Sequence, residues 1–209
     1  MRTYIKKWKP VELALLAALA LALVSGAASL GRQDALQEKM IRLHVIANSD
    51  SDADQALKLE VRDRVLDFTT TVLQRSADME DAQVRLREEL TRIEDIAQRE
   101  IAAQGYDYPV TAQLASTEFP LKEYDGFSLP AGEYMALRLV IGEGEGQNWW
   151  CVVYPPLCTA AATDMPRTAV AAGLTDDDVS LITEEDAGYV LRFRSVELWE
   201  QLRQWLGKR

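Results

Sequence analysis

Residues 41–55 read IRLHVIANSDSDADQ, a strand pattern that runs directly into the start of a helix. Through Ala47 the stretch alternates apolar and polar residues and is rich in β-branched ones, which predicts a strand with Ile41, Leu43 and Val45 on one face. The remainder is dense in residues that cap the N-termini of helices, so a helix is expected to follow. The folded body of the chain therefore begins with a strand and a capped helix.

Two helices are expected after this stretch. Apolar residues recur at three- and four-residue spacing over residues 56–68 and again over residues 76–101, which is the period of an amphipathic helix. Gly105 then offers the kind of residue that commonly ends a helix. The first half of the body is thus predicted to be mainly helical.

The second half of the body changes to strands. Residues 108–114, 134–141 and 148–154 have the composition and alternation of strands and are separated by turn signals. The glycine-rich stretch 142–147 lacks the Lys-Ser/Thr of a phosphate loop, and its glutamates would repel phosphate, so it is interpreted as the turn of a hairpin. Residues 119–126 are predicted to be a turn-rich link.

The last fifth of the chain gives weaker patterns. Residues 176–178 are interpreted as a solvated acidic loop, residues 189–193 as a strand and residues 196–206 as an amphipathic helix. Taken together, the patterns predict an α+β fold, a single globular domain with N-terminal helices and an antiparallel sheet, behind an N-terminal signal or anchor helix.

Composition excludes several classes of function. The chain has 209 residues, 23 Lys+Arg against 33 Asp+Glu, one His and two Cys, and a formal net charge of −10. An acidic protein lacks the cationic excess that nucleic-acid binding requires, so no nucleic-acid partner is expected. One histidine and two cysteines are too few for a zinc site of the His/Cys type, and no cofactor is expected.

Positive and negative charges are unevenly distributed along the chain. Residues 1–31 hold Arg2, Lys6, Lys7 and Lys9 against Glu12, a local balance of 4 − 1 = +3, which leaves −10 − 3 = −13 for the remainder. A basic start followed by an acidic body is typical of an exported chain.

The segment behind these cations is apolar. Leu13–Val24 contains only Leu, Ala and Val, and no charge follows until Arg32. A basic region, an apolar run and small residues at its end are the features of a signal peptide, while the length also nearly suits a membrane anchor that would contact the bilayer through residues 11–31. Residues 1–31 are therefore predicted to be a signal peptide or an anchor, and residues 32–209 an extracytoplasmic domain.

Two groups of residues could have a metal-binding or catalytic role, but a structural role is preferred for both. Asp50, Asp52 and Asp54 alternate as in a calcium loop, yet the glycine and glutamate that an EF-hand requires are missing, so they are interpreted as acids at a helix start. His44 with Cys151 or Cys158 could form a nucleophile pair, as in a secreted hydrolase.

The two cysteines also have a simpler use. Cys151 and Cys158 are separated by six residues, and in an exported domain such a pair can oxidise to a disulfide. A disulfide, two buried free thiols and a catalytic thiol all remain open from the spacing alone.

The pair Trp149–Trp150 is a further candidate. On a strand the two indoles face opposite sides, so one can fill a core while the other covers a second surface or stays exposed. Exposed aromatic side chains are favoured anchors in protein interfaces, which makes one of the pair a recognition candidate.

The body of the chain resembles the stage II sporulation protein R family. The resemblance lies in two long strings that occur in the expected order and together cover about residues 41–158. The first string consists of residues 41–51 with Asp54–Gln55, Leu57–Lys58 and Val61–Arg62–Asp63. The second consists of Phe119–Pro120–Leu121–Lys122, residues 129–134, Ala136–Leu137–Arg138, Gly142, Gly144 and residues 148–158.

This resemblance implies a secreted signalling protein of endospore-forming bacteria. Such a protein is made in the forespore and exported across the forespore membrane into the space between the two compartments' membranes. There it activates a membrane-embedded aspartic protease, which processes the pro-form of an early mother-cell sigma factor. The resemblance therefore implies a ligand of that protease rather than an enzyme.

A contact surface for the protease is predicted from the two strings. The Asn48–Gln55 loop and the Asn148–Cys158 strand and turn contain polar or aromatic residues with the least obvious role in a core. We expect these two segments to lie near one another. The predicted partner surface consists of Asn48, Asp50, Ser51, Asp54, Gln55, Asn148, Trp149 and Trp150.

Overall fold

The computed structural model describes residues 10–157 and 165–183. The chain divides into two compact units, Met1–Leu36 and Gln37–Arg209. Helix α1 (Pro10–Gln37) takes up the apolar run near the N-terminus. Within the described residues, no helix has the combination of length and hydropathy that crossing a membrane requires.

The second unit contains helices and strands in an α+β arrangement, as predicted. Its described helices are α2 (Asp52–Leu73), α3 (Met79–Glu88), α4 (Leu90–Ala103), α5 (Met165–Ala171) and α6 (Asp176–Thr183). Its described strands are β1 (Ile41–Ile46), β2 (Val110–Phe119), β3 (Lys122–Tyr124), β4 (Phe127–Leu129), β5 (Gly132–Ile141) and β6 (Asn148–Tyr154).

Four of the strands form a mixed sheet in the order β2-β5-β1-β6. Strand β1 runs parallel to β5 and antiparallel to β6, and β2 runs antiparallel to β5. The short strands β3 and β4 form a separate hairpin. The sheet is therefore mixed, because its first strand is inserted between two strands from the second half of the chain.

This insertion shows that the predicted hairpin over residues 142–147 is wrong. Strands β5 and β6 are consecutive in sequence, but β1 lies between them, so the loop crosses the end of β1 instead of folding β6 back onto β5. The local pattern of strand, glycine-rich turn and strand is the same in both cases. Only the pairing with a distant strand distinguishes them.

The main core lies on the helical side of the sheet. Ile41, Leu43 and Val45 are fully buried and point to this side, as the alternation predicts. They pack with apolar residues of the neighbouring strands and of α2, α3 and α4, including Val61, Val65, Leu86, Ile93, Ala97, Ile101, Leu137 and Leu139. Since β1 is the central strand of this core, its apolar face fixes the register of the sheet.

The opposite face of the sheet is also covered. Arg42 and His44, which the alternation assigns to the polar side of β1, are 0% and 8% exposed. The hairpin β3–β4 lies against this face through Tyr124, whose hydroxyl accepts from Arg42 Nη2 at 2.5 Å and donates to the Trp150 carbonyl at 3.3 Å. The predicted turn-rich link over residues 119–126 thus contains strand β3, which covers this face of the sheet.

Two further predictions about local structure are corrected. The helix predicted over residues 76–101 is divided into α3 and α4 at Glu89, whose backbone is not helical. The predicted acidic loop over residues 176–178 is the first turn of α6, because Asp178 accepts hydrogen bonds from the Thr175 backbone and hydroxyl and pairs with Lys39. The strand and helix predicted over residues 189–206 lie outside the described residues.

Candidate functional site

The loop between β1 and α2 is organised around a buried carboxylate. Asp54 is 5% exposed and accepts hydrogen bonds from Asn48 Nδ2 at 2.9 Å and from Ser49 Oγ at 2.5 Å. Ser51 caps α2 by accepting from the Asp54 backbone N–H at 3.2 Å. The hydrogen bond from Ser49, followed by that from Asn48, lowers the pKa of Asp54, so the carboxylate stays ionised and holds the loop.

The same loop is joined to the glycine-rich loop that precedes β6. Asn48 Oδ1 accepts from the Glu143 backbone N–H at 3.0 Å, and Asp50 Oδ1 accepts from the Gln147 backbone N–H at 2.7 Å. Lys58 completes the junction from α2, because its Nζ donates to the Gln147 carbonyl at 3.0 Å. The two segments of the predicted partner surface therefore lie next to one another at one end of the sheet, as expected.

Gly142 permits the close approach of the two loops. It has a φ of +58°, and a Cβ at this position would collide with the side-chain amide of Asn48. We expect Gly142→Ala to destabilise the fold by about 2 kcal/mol, because alanine adds both left-handed strain and this collision. Urea unfolding measures the loss.

Gly105 supplies the matched control for this substitution. Its φ is +85°, and a Cβ there meets no other atom within 4 Å. Gly105→Ala therefore introduces the left-handed strain without the collision and should cost less than Gly142→Ala. Equal losses for the two variants would contradict a specific role for the contact with Asn48.

The two tryptophans face opposite sides of the sheet, as predicted, and neither belongs to the main core. Trp149 is 37% exposed and lies on the helical side, where the guanidinium of Arg62 sits 4.2 Å from its ring centroid. Trp150 is half-buried on the opposite face and stacks on His44 with the ring centroids 6.0 Å apart. The aromatic pair therefore belongs to two different surfaces.

Only part of the predicted partner surface is accessible. Asp50, Ser51, Asn148 and Trp149 are exposed, whereas Asn48, Gln55 and Trp150 are half-buried and Asp54 is buried. The polar side chains around Asp54 are engaged in holding the loop, a role that the sequence pattern did not reveal. The exposed four form the part of the surface that a partner can touch, and we call them the exposed end.

The pairing of His44 with Cys151, considered as an alternative, does not occur. In the β1–β6 register His44 lies opposite Trp150 while Leu43 lies opposite Cys151, so the imidazole and the sulfur are on different faces of the sheet. His44 Nε2 instead forms a 2.7 Å hydrogen bond with Asn148 Oδ1. Cys158 lies outside the described residues, so its disulfide with the buried Cys151 stays a prediction.

Lys58 also belongs to this site, although the sequence analysis included it only in the family resemblance and not in the predicted partner surface. Its side chain is almost fully buried, and Nζ also donates to Gln55 Oε1 at 2.6 Å. Burial lowers the pKa of Lys58, and the nearby Arg62 adds to the effect. A signal was available, because helical spacing places residue 58 on the same buried side as Asp54, Val61 and Val65.

Comparisons with known proteins agree with the resemblance of the two strings. The family model described as stage II sporulation protein R matches residues 37–164. The chain is 39% identical over 123 residues to a curated protein of Bacillus subtilis (strain 168) named stage II sporulation protein R, a match that covers 59% of this chain and 55% of the relative. The chain thus spans about half the length of that relative. No solved structure matches the chain.

Proposed function

The chain belongs to the stage II sporulation protein R family, and from this membership we propose that it is a signalling protein of sporulation. In this proposal the forespore makes the protein and exports it into the space between the forespore and mother-cell membranes. It then activates a membrane-embedded aspartic protease, which processes the pro-form of an early mother-cell sigma factor. The protein acts as a ligand of the protease and forms no covalent bond in the process.

The observation that supports a ligand role is the junction of the two loops. The strings that carry the family resemblance are far apart in sequence, yet they meet at one end of the sheet, where the Asn48 and Asp50 side chains accept hydrogen bonds from the backbone N–H groups of Glu143 and Gln147. The junction fixes the backbone before Trp149, and the pairing of β6 with β1 fixes it at Trp149 and beyond, so little entropy remains to be lost when a partner binds. A preorganised surface with an exposed indole is well suited to recognition.

Activation by such a ligand requires a difference in affinity between two states of the protease. A ligand that binds the active state more tightly shifts the equilibrium toward that state, and the shift is limited by the ratio of the two affinities. The narrow space between two membranes raises the effective concentration of an exported ligand near its target. Moderate affinity at the exposed end is then sufficient for signalling.

Export is the part of the proposal that rests on the N-terminal sequence. The basic residues before the apolar run and the small residues behind it support a signal peptide, and an anchor would keep the same orientation. The mass of the native extracytoplasmic species, measured without reduction, tests cleavage and the Cys151–Cys158 disulfide together. A native protein found wholly in the cytosol would contradict export.

We expect Trp149→Ala to reduce sigma-factor processing about tenfold or more, because central exposed aromatics often contribute 2 kcal/mol or more to an interface. Asp50→Ala and Asn148→Ala test the remainder of the exposed end. Processing of the pro-sigma factor is followed on immunoblots of sporulating cells that carry each variant as the sole copy. The amount of exported protein is measured in the same cells.

Val84→Ala is the control for Trp149→Ala. Val84 is 44% exposed on α3, away from the two loops, so its truncation also removes exposed apolar surface. We expect normal processing in this variant. Normal processing in Trp149→Ala, with normal amounts of exported protein, would exclude the exposed end as the contact surface.

A further inference from the structure

A row of side chains crosses the face of the sheet opposite the main core. The strand registers place Gln113 opposite Arg138, Arg138 beside His44, and His44 opposite Trp150. Partners in adjacent strands point to the same face, so these four side chains form one line from β2 to β6. Gln113 is exposed and Arg138 and Trp150 are half-buried, so the row is open to solvent at several points.

Three cations, Arg138, Lys122 and Arg42, lie in or beside this row. Lys122 from β3 places its Nζ 5.2 Å from the Trp150 ring centroid, and Arg42 lies beneath with its guanidinium 4.0 Å from the Phe119 ring. No carboxylate of the described residues forms an ion pair with Lys122, Arg42 or Arg138. Such an uncompensated group of cations is unexpected in a protein with a net charge of −10.

Buried polar atoms at the row are left without partners. Arg42 is fully buried, and in the described part of the chain its Nε and Nη1 have no acceptor. His44 is 8% exposed, and since its Nε2 is engaged with Asn148, its Nδ1 is also unpartnered there. Buried polar groups are normally hydrogen-bonded, so these atoms leave the charge of Arg42 without a counter-charge among the described residues, directly beneath the row.

The pKa of His44 reflects the positive charges around it. Burial lowers the pKa of His44, and the charges of Arg138 and Arg42 lower it further, while the hydrogen bond with Asn148 opposes them. Both charged groups that act on the imidazole are cations, one from β5 and one from its own strand. Arg138 and Arg42 therefore both contribute positive potential at the imidazole.

We propose that this face, formed by Arg138, Lys122, His44, Trp150 and the underlying Arg42, binds an acidic peptide segment of a partner protein. We call it the cationic face. Carboxylates would neutralise Arg138 and Lys122, while the half-buried indole of Trp150 would pack against the peptide between them. The inference goes beyond the proposed function, because it concerns residues outside the exposed end and specifies an acidic segment as their ligand. The two surfaces adjoin where His44 bonds Asn148.

A peptide fits the cationic face better than an anionic lipid surface does. Binding to an anionic bilayer needs a broad basic surface, and the net charge of −10 would repel the membrane over the remainder of the protein. A peptide segment with a few carboxylates needs only the local group of cations. Its charge also complements the cations at short range, where the repulsion from distant acids is screened within about 8–10 Å.

The test uses the purified full chain and a blocked tetraglutamate peptide, with tetraglutamine as the uncharged probe. Because the chain contains a single histidine, the imidazole signals of His44 in NMR spectra report on the cationic face without ambiguity. We expect saturable binding of tetraglutamate together with a rise in the pKa of His44. A carboxylate bound beside Arg138 offsets the cationic charge that acts on the imidazole, and this favours the protonated ring.

Charge-removal variants decide whether the cationic face is the site. Arg138→Gln with Lys122→Gln is expected to weaken tetraglutamate binding about tenfold or more, because two charge-assisted contacts are lost. Arg99→Gln removes an exposed cation on α4 and should leave the Kd unchanged. Absence of saturable binding, equal binding of tetraglutamine, or equal weakening by Arg99→Gln would each overturn the proposal.

Discussion

Arg42→Ala is expected to destabilise the protein by about 4 kcal/mol, which is in the range for truncating a large, fully buried side chain. The guanidinium of Arg42 lies 4.0 Å from the ring centroid of Phe119 and 4.8 Å from that of Tyr134, and its Nη2 donates to the Tyr124 hydroxyl. Alanine removes all three contacts and leaves a cavity between the sheet and the hairpin β3–β4. Equilibrium unfolding in urea gives the loss directly.

Arg42→Met separates packing from charge. Methionine fills much of the same volume, and it removes a buried cation whose Nε and Nη1 have no acceptor in the described part of the chain. Burial also lowers the pKa of Arg42, which shows that its environment disfavours the charge. We therefore expect Arg42→Met to be within about 1 kcal/mol of the native stability.

The difference in stability between Arg42→Met and Arg42→Ala shows whether the fold needs the charge of Arg42. If Arg42→Met unfolds as easily as Arg42→Ala, the charge of Arg42 is itself required by the fold, and a compensating anion must lie near it. If methionine preserves the fold, the charge is dispensable for stability. A reason for a buried arginine at this position is then its contribution to the potential of the cationic face.

Local signals were sufficient to predict the start of the body. The alternation from Ile41 to Val45 predicted β1 and its core face, and the cap residues before α2 predicted a helix that Ser51 does cap. These features depend on neighbours within a few residues, so they can be read from a single stretch. The adjacency of the two segments was also predicted, because both contain polar or aromatic residues with the least obvious role in a core.

The pairing of distant strands could not be predicted from local sequence patterns. The insertion of β1 between β5 and β6 depends on contacts between residues about a hundred positions apart, and the glycine-rich loop has the same local pattern with or without it. The burial of Arg42 has the same origin, because its cover comes from Tyr124 and Phe119. A polar residue in an alternating strand otherwise predicts a solvated face.

The role of Asp54 was likewise hidden by its surroundings. An acid three residues after a serine at a helix start is ordinarily a surface residue that interacts with the helix dipole. Here the preceding Asn48 and Ser49 fold back and donate to it, so the carboxylate becomes the centre of the loop. The sequence contained the donors, but their direction depends on the turn between β1 and α2.

Asp54→Ala is expected to cost about 3 kcal/mol, because it leaves the donors of Asn48 and Ser49 without their acceptor in a buried site. Asp54→Asn should cost less, since Asn48 and Ser49 both donate to Oδ2 and an amide oxygen in its place still accepts from them without the charge. Asp52→Asn is the matched control, because Asp52 is an exposed acid in the same first turn of α2. Urea unfolding at neutral pH ranks the three variants.

The pH dependence of stability tests whether the ionised carboxylate is responsible. The folded state lowers the pKa of Asp54, so its contribution is complete above the ordinary carboxyl pKa of about 4 and is lost as the pH falls through the lower folded value. The native protein should therefore lose more stability on acidification than Asp54→Asn, which has no proton to take up at this position. If the two lose the same amount, the loop is held by its neutral hydrogen bonds and the carboxylate is not the group that joins β1 to α2.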